Sequence, residues 1–125
     1  MTSRRPLLKN RRVWRTHLLN RIWRQRQATD LAGLLALEGN CAIPGTGWTD
    51  AEIRHANAPT SAAAAEAARS VLELCDDCPV IGECAQWAHV DRYTGLAAGS
   101  SWIRGQEYDP STTINNPRPK NTAAA

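Results

Sequence analysis

The chain has 125 residues, with 15 Lys/Arg against 12 Asp/Glu and a net charge of +3, which bounds it to one small domain with tails. Five Trp and two Tyr but no Phe allow only a small core, marginal on its own. No run of eighteen apolar residues is present, which excludes a helical membrane span, and no Ser/His/Asp set, phosphate loop or paired carboxylates point to an enzyme.

The charge is unevenly placed. Residues 1–29 hold nine basic groups and no acid, while residues 30–125 hold six basic and twelve acidic groups, a net of −6. This divides the chain into a basic arm (1–29), a body (30–104) and a tail (105–125), and a basic arm suits a polyanion such as DNA. Arg4, Arg5, Lys9, Arg11, Arg12 and Arg15 are the candidate DNA contacts. From Pro6 to Ala28 the pattern predicts a helix. Trp14, Leu18 and Ile22 recur at i, i+4 and i+8, with Leu19 and Trp23 beside them. Three readings are open for it: a DNA-contacting arm, an amphipathic helix docked on a partner or membrane surface, or a helix packing its stripe on the body. The two tryptophans argue against a fully solvated arm.

Asp30 is placed to cap a second helix, Leu31 to Glu38, ended by Gly39-Asn40, so that the helix positions Cys41. Ala42 to Trp48, with Pro44, Gly45 and Gly47, reads as a loop. Thr49-Asp50-Ala51-Glu52 has the form of a capping box for a short helix ending near His55 or Ala56. Thr60 or Ser61 caps an alanine-rich helix to about Leu74, with Ala67, Val71 and Leu74 on one face and an Arg69–Glu73 pair on another. Pro79 fits the first turn of a further helix reaching Val90, which puts Cys78 at or near its N-cap. Trp87 on that helix is placed to shield the cysteines from water. Gly95 to Gly99 reads as a small flexible turn, and the Pro-, Thr- and Asn-rich segment from Gly105 onward as a tail without fixed structure. The expected fold is all-α, four to five short helices around a four-cysteine site, with flexible tails.

That site is Cys41, Cys75, Cys78 and Cys84, spaced C-x33-C-x2-C-x5-C. A C-x2-C pair puts two thiolates on one turn, and four thiolates are what a tetrahedral zinc site or a cubane iron–sulfur cluster requires. The N-terminus lacks the apolar run of a secretory signal, which leads to a cytoplasmic expectation, and there structural disulfides are rare. Redox dithiols remain an alternative. One short knuckle, a longer step and a remote cysteine suit a cluster, whose thiolates ligate separate irons, better than zinc, whose sites usually show two knuckles. His17, His55 and His89 are not needed as ligands.

The stretch Cys75-Asp-Asp-Cys-Pro-Val-Ile-Gly-Glu-Cys-Ala-Gln-Trp-Ala88 resembles the cluster motif of the WhiB-like transcription regulators of actinobacteria and their phages. Their pattern is a lone cysteine followed by C-x2-C-x5-C, often with Pro-Val after the pair and an aromatic-Ala pair after the last cysteine. The likeness spans residues 41 to 99. It implies a [4Fe–4S] cluster on Cys41, Cys75, Cys78 and Cys84, sensitive to oxygen or nitric oxide, and action through the principal sigma factor of RNA polymerase and through DNA. It also implies a partner surface at the turn holding Gly95, Leu96 and Gly99; Trp48, Trp87 and Trp102 are the tryptophans placed to join it, Trp102 as a substitute for the family tryptophan absent at Ala97 and Trp48 in a loop that lacks the family's aromatic pair. The chain departs from the family at Ala97, where the family turn carries tryptophan, and at its C-terminus, which has only Arg118 and Lys120 in place of a basic tail. The alternatives to a cluster-bearing regulator are a structural zinc module that binds DNA or protein, and a thiol–disulfide reductase using Cys75 and Cys78.

Overall fold

A computed structural model of the chain describes residues 11–113, with side chains from Arg15 onward. Among these residues four α-helices carry the fold: α1 (Arg11–Glu38), α2 (Trp48–Ala56), α3 (Ser61–Leu72) and α4 (Ile81–Val90). Single 3-10 turns stand at Asn40–Ala42 and Glu73–Cys75. An antiparallel sheet follows, β1 (Gly95–Ala97), β2 (Ser100–Ile103) and β3 (Gln106–Tyr108), in the order β1-β2-β3. The fold is therefore mostly helical but not all-α.

The expected break at Asp30 is absent, and α1 is one helix of 28 residues. Nothing from Ala28 to Leu31 forbids helix. The Thr29 hydroxyl donates to the Gln25 carbonyl at 2.9 Å, a local bond that leaves the ladder in place. Gly39 ends α1. Its N–H donates to the Leu35 carbonyl at 2.8 Å, and a Cβ there would stand 2.7 Å from that oxygen. The described part of the apolar stripe of α1 does not pack on the body: Leu18, Leu19 and Ile22 are exposed and Trp23 is 67% exposed, while the Trp14 side chain lies outside the described residues. Ala28 is the buried contact instead, and α1 lies along α4.

The capping box is also overturned. α2 starts at Trp48 behind Gly47, which has φ +79° and gives no side-chain cap, so Thr49 lies inside the helix and Glu52 is free for another task. Thr60 caps α3 as expected, its hydroxyl accepting from the Ala63 N–H at 3.1 Å. Arg69 pairs with Glu66 rather than Glu73, both side chains well exposed. α4 begins at Ile81, two residues after Pro79, with Val80 as its N-cap. Cys78 thus precedes the helix, and its carbonyl accepts from the Ile81 N–H at 3.4 Å in a separate turn.

The sheet replaces the expected flexible turn at Gly95–Gly99. β1 pairs β2 with Ala97 opposite Ser100, so Ala98-Gly99 is a two-residue turn, and both residues have positive φ (49° and 77°). β2 pairs β3 with Ile103 opposite Gln106, and Arg104-Gly105 repeats the same geometry (49° and 81°). Turns of this kind match the twist of paired strands. Successive side chains of a strand point to opposite faces, and β1 is buried on both. Leu96 joins Ala51, Ala68 and Val71 of α2 and α3, while Ala97 joins Ala88 of α4 and Trp102 of β2. The expected tail also starts later than Gly105. Gln106–Tyr108 is a strand, and Thr112 is buried. The Pro110 carbonyl meets Nε2 of buried His55 at 2.9 Å.

Candidate metal centre

Four short segments bring the cysteines together. Cys41 sits in the 3-10 turn behind Gly39, Cys75 ends the 3-10 turn behind α3, Cys78 lies in the following turn, and Cys84 is in the first turn of α4. All four thiols are free. They line one apolar cavity of about 20 Å³ together with Leu35, Trp48, Val80, Ile81 and Ala98. Cys75 is buried and the other three are half-buried.

Two polar side chains that the sequence suggested only as local helix signals hold these segments in place. The Asn40 amide donates to the Leu74 carbonyl at 2.9 Å and to Oδ1 of Asp77 at 3.1 Å. It thereby ties the Cys41 turn to the loop carrying Cys75 and Cys78, across more than thirty residues of chain. The Glu52 carboxylate accepts a short hydrogen bond from the Tyr93 hydroxyl and a 2.8 Å bond from the Leu96 N–H, which ties α2 to β1. Burial, then the bond to this carboxylate, pushes the Tyr93 phenol upward. Tyr93 in turn stacks at a tilt on Trp87, ring centroids 4.6 Å apart.

The turn at the end of β1 faces the thiols. The Ala98 N–H interacts with Cys84 and the Gly99 N–H with Cys75, each favouring the thiolate. Burial outweighs them. Cys84 is pushed up to about 11, first by burial and then by Cys41, Cys75 and Cys78. Cys41 is raised by burial and next by Cys78, and Cys75 by burial with Cys41, Cys78 and Asp76 adding to it. Cys41, Cys75 and Cys84 are thus held protonated by desolvation and by neighbouring thiols, and a cation placed among them would reverse that balance.

Two observations bear on what the site could hold, and they pull apart. A cavity of about 20 Å³ is roughly the room of one water. Yet among the described residues no three His, Cys, Asp or Glu side chains are grouped so as to hold one metal ion. The volume changes with rotation of each cysteine side chain, whereas the four-thiol donor set and the backbone carrying it do not, so the donor set carries more weight.

The remaining candidates separate. Trp48 lines the cysteine cavity. Leu96 and Trp102 are buried, and the Trp102 indole N–H donates to the Ala97 carbonyl at 2.7 Å; neither side chain is offered to a partner. Trp87, Gly95 and Gly99 are half-buried. None of His17, His55 and His89 lines the cavity. Arg15 is exposed on α1. Arg11 and Arg12 belong to α1 with side chains outside the description, and Arg4, Arg5 and Lys9 lie outside the described residues. No described helix is long and apolar enough to cross a membrane. Set against protein-family models, curated proteins and solved structures, the chain finds no match in any of the three.

Proposed function

We propose that the chain is a transcription regulator of the WhiB-like kind, built round a [4Fe–4S] cluster on Cys41, Cys75, Cys78 and Cys84. The observation that carries this reading is the convergence of four free thiols, from separate segments, on one apolar cavity. The donor set fits the cluster's ligand requirement. When bound, the cluster would supply a centre sensitive to oxygen or nitric oxide. The chain's own residues would do the rest: Trp48 and Val80 exclude water, the Ala98 and Gly99 amides direct N–H dipoles at two of the sulfurs, and Asn40 and Glu52 fix the segments on which the ligands ride.

Sigma-factor contact follows from the resemblance. With Leu96 and Trp102 buried, the exposed material left for it lies around Trp48, Trp87 and the Ala98-Gly99 turn. DNA contact is assigned to the basic arm, from Arg4 to Arg15. A structural zinc site is the second reading, favoured by the small cavity. A reductase reading with Cys75 and Cys78 as its pair needs an attacking cysteine of lowered pKa, and burial raises that of Cys75.

Metal and acid-labile sulfide content after anaerobic purification tests the reading. About four irons and four sulfides per chain, with a brown colour that bleaches in air, support it. One zinc and no sulfide would replace it with the structural zinc module.

A further inference from the structure

On the face of α1 turned toward the C-terminal end of α4 and the β2–β3 turn runs a groove of about 440 Å³. Arg24, Arg92 and Arg104 line it, with Trp23, His89 and Gln106, and no acidic side chain does. None of the three arginines forms an ion pair among the described residues. The groove shares no residue with the cysteine cavity.

Two of these arginines stand where arginine is disfavoured. Arg92 has φ +53° and Arg104 φ +49°, a region in which non-glycine residues other than Asn and Asp are uncommon. Hydrogen bonds lock both into place. The Arg92 N–H donates to the His89 carbonyl at 3.2 Å, the Gly105 N–H to the Tyr93 carbonyl at 3.0 Å, and the Arg104 N–H to the Thr94 hydroxyl at 3.0 Å. His89 Nδ1 donates to the Gly105 carbonyl at 3.1 Å. The turn is seated so closely on α4 that a Cβ on Gly105 would stand 2.8 Å from the His89 carbonyl. Two guanidiniums therefore issue from a fixed base beside a third on α1. Next to them is a tryptophan that is 67% exposed.

We propose that this groove binds single-stranded nucleic acid, with Arg24, Arg92 and Arg104 on successive phosphates and the Trp23 ring as a platform for one unpaired base. Guanidinium forks match phosphate oxygens, and an aromatic face beside a cationic track is how proteins hold single strands. Arg15, the one arm candidate whose side chain is described, does not line the groove, and the groove's occupancy does not depend on what the cysteines hold.

The test is fluorescence anisotropy of a labelled fifteen-nucleotide oligo(dT) with the full chain, arm retained, across a salt series. Three variants are compared: Trp23→Leu, the pair Arg92→Asn with Arg104→Asn, and, as a control outside both the groove and the basic arm, Arg54→Gln on α2, an exposed residue. Asn tolerates positive φ, so the double variant removes charge while keeping or raising the melting temperature. Expected are a loss of about tenfold in affinity for Trp23→Leu and a salt slope shallower by about 1.4 for the double variant, with Arg54→Gln near wild type. Three results would overturn the proposal: no effect of Trp23→Leu, an unchanged slope in the double variant, or displacement of the oligonucleotide by polyglutamate as effectively as by unlabelled oligo(dT). The last would mean that the groove answers to charge alone and suits an acidic protein.

Discussion

Replacing Asn40 by Ala should loosen the candidate metal centre without touching a cysteine. The substitution removes the bond to the half-buried Leu74 carbonyl and the bond to Asp77. A part-buried carbonyl left without its donor costs about 1–2 kcal/mol, and the exposed bond to Asp77 about 0.5 kcal/mol. The sum is about 2 kcal/mol. In a domain of this size each kcal/mol moves the melting temperature by about 4–8 °C, so Asn40→Ala should lower it by about 10 °C. The assay is thermal unfolding of the metal-free chain, followed by circular dichroism at 222 nm. Asp77→Ala separates the two bonds and should lower the midpoint by only about 3 °C. A shift below about 3 °C in Asn40→Ala, or equal shifts in the two variants, would refute the claim that the Asn40–Leu74 bond joins the two ligand segments.

Glu52→Ala strands the Tyr93 hydroxyl and the Leu96 N–H and should destabilise the chain by about 3 kcal/mol; urea unfolding should show a smaller loss for Glu52→Gln, which keeps one acceptor. Gly105→Ala, at φ +81° and 2.8 Å from a backbone oxygen, should cost about 2 kcal/mol or more. Gly33→Ala, in the middle of α1 with nothing within 4 Å, should instead raise stability by about 0.5–1 kcal/mol; the two melting temperatures must move in opposite directions. Raised thiols also set a pH dependence. The unfolded chain's cysteines ionise near about 8.5, and that of Cys84 ionises only near about 11 in the fold, so between these values the folded chain binds more protons. Its stability therefore falls as pH rises through that window. The urea midpoint of the metal-free chain should be lower at pH 10.5 than at pH 8, by a smaller margin in Cys84→Ser.

The cysteine spacing was enough to name the four thiols that now share a cavity, and the alanine-rich helix was legible down to its Thr60 cap. What escaped has common physical causes. Local signals at Asp30 and Thr49–Glu52 are real propensities, but the helix of α1 runs unbroken through the first, where nothing interrupts its backbone ladder, and Glu52 bonds Tyr93 and Leu96 across more than forty residues instead of capping α2. The sheet was hidden because its turns use Ala98-Gly99 and Arg104-Gly105 in place of the usual Asn-Gly. The glycines six residues apart, each closing a short apolar or alternating run, were the available sign. β1 did not alternate polar and apolar because both its faces are covered, by α2 and α3 on one side and α4 on the other. Asn40 read only as part of a helix stop, and its bracing role carried no sequence signal, since both its partners lie more than thirty residues away.

The position of β1 gives the proposed site its mechanical meaning. Its Leu96 side chain is held by the α2–α3 cluster and its Ala97 by the α4 cluster, and the turn that follows presses Ala98 and Gly99 amides toward Cys84 and Cys75. A core made largely of alanine stabilises little by burial, since each methyl contributes about 0.8 kcal/mol. Cys41, Cys75 and Cys84, kept protonated by burial and by their neighbours, add no cohesion to it. A bound cation or cluster would turn that crowding into attraction and add its binding free energy to folding. Gain or loss of the group would then be felt first where the sulfurs meet the strand, at the Ala98-Gly99 turn. In the proposed regulator this turn adjoins Ala97, where the family carries its contact tryptophan and this chain a buried alanine, so any sigma-factor contact that reads the state of the site would have to be made by the turn itself.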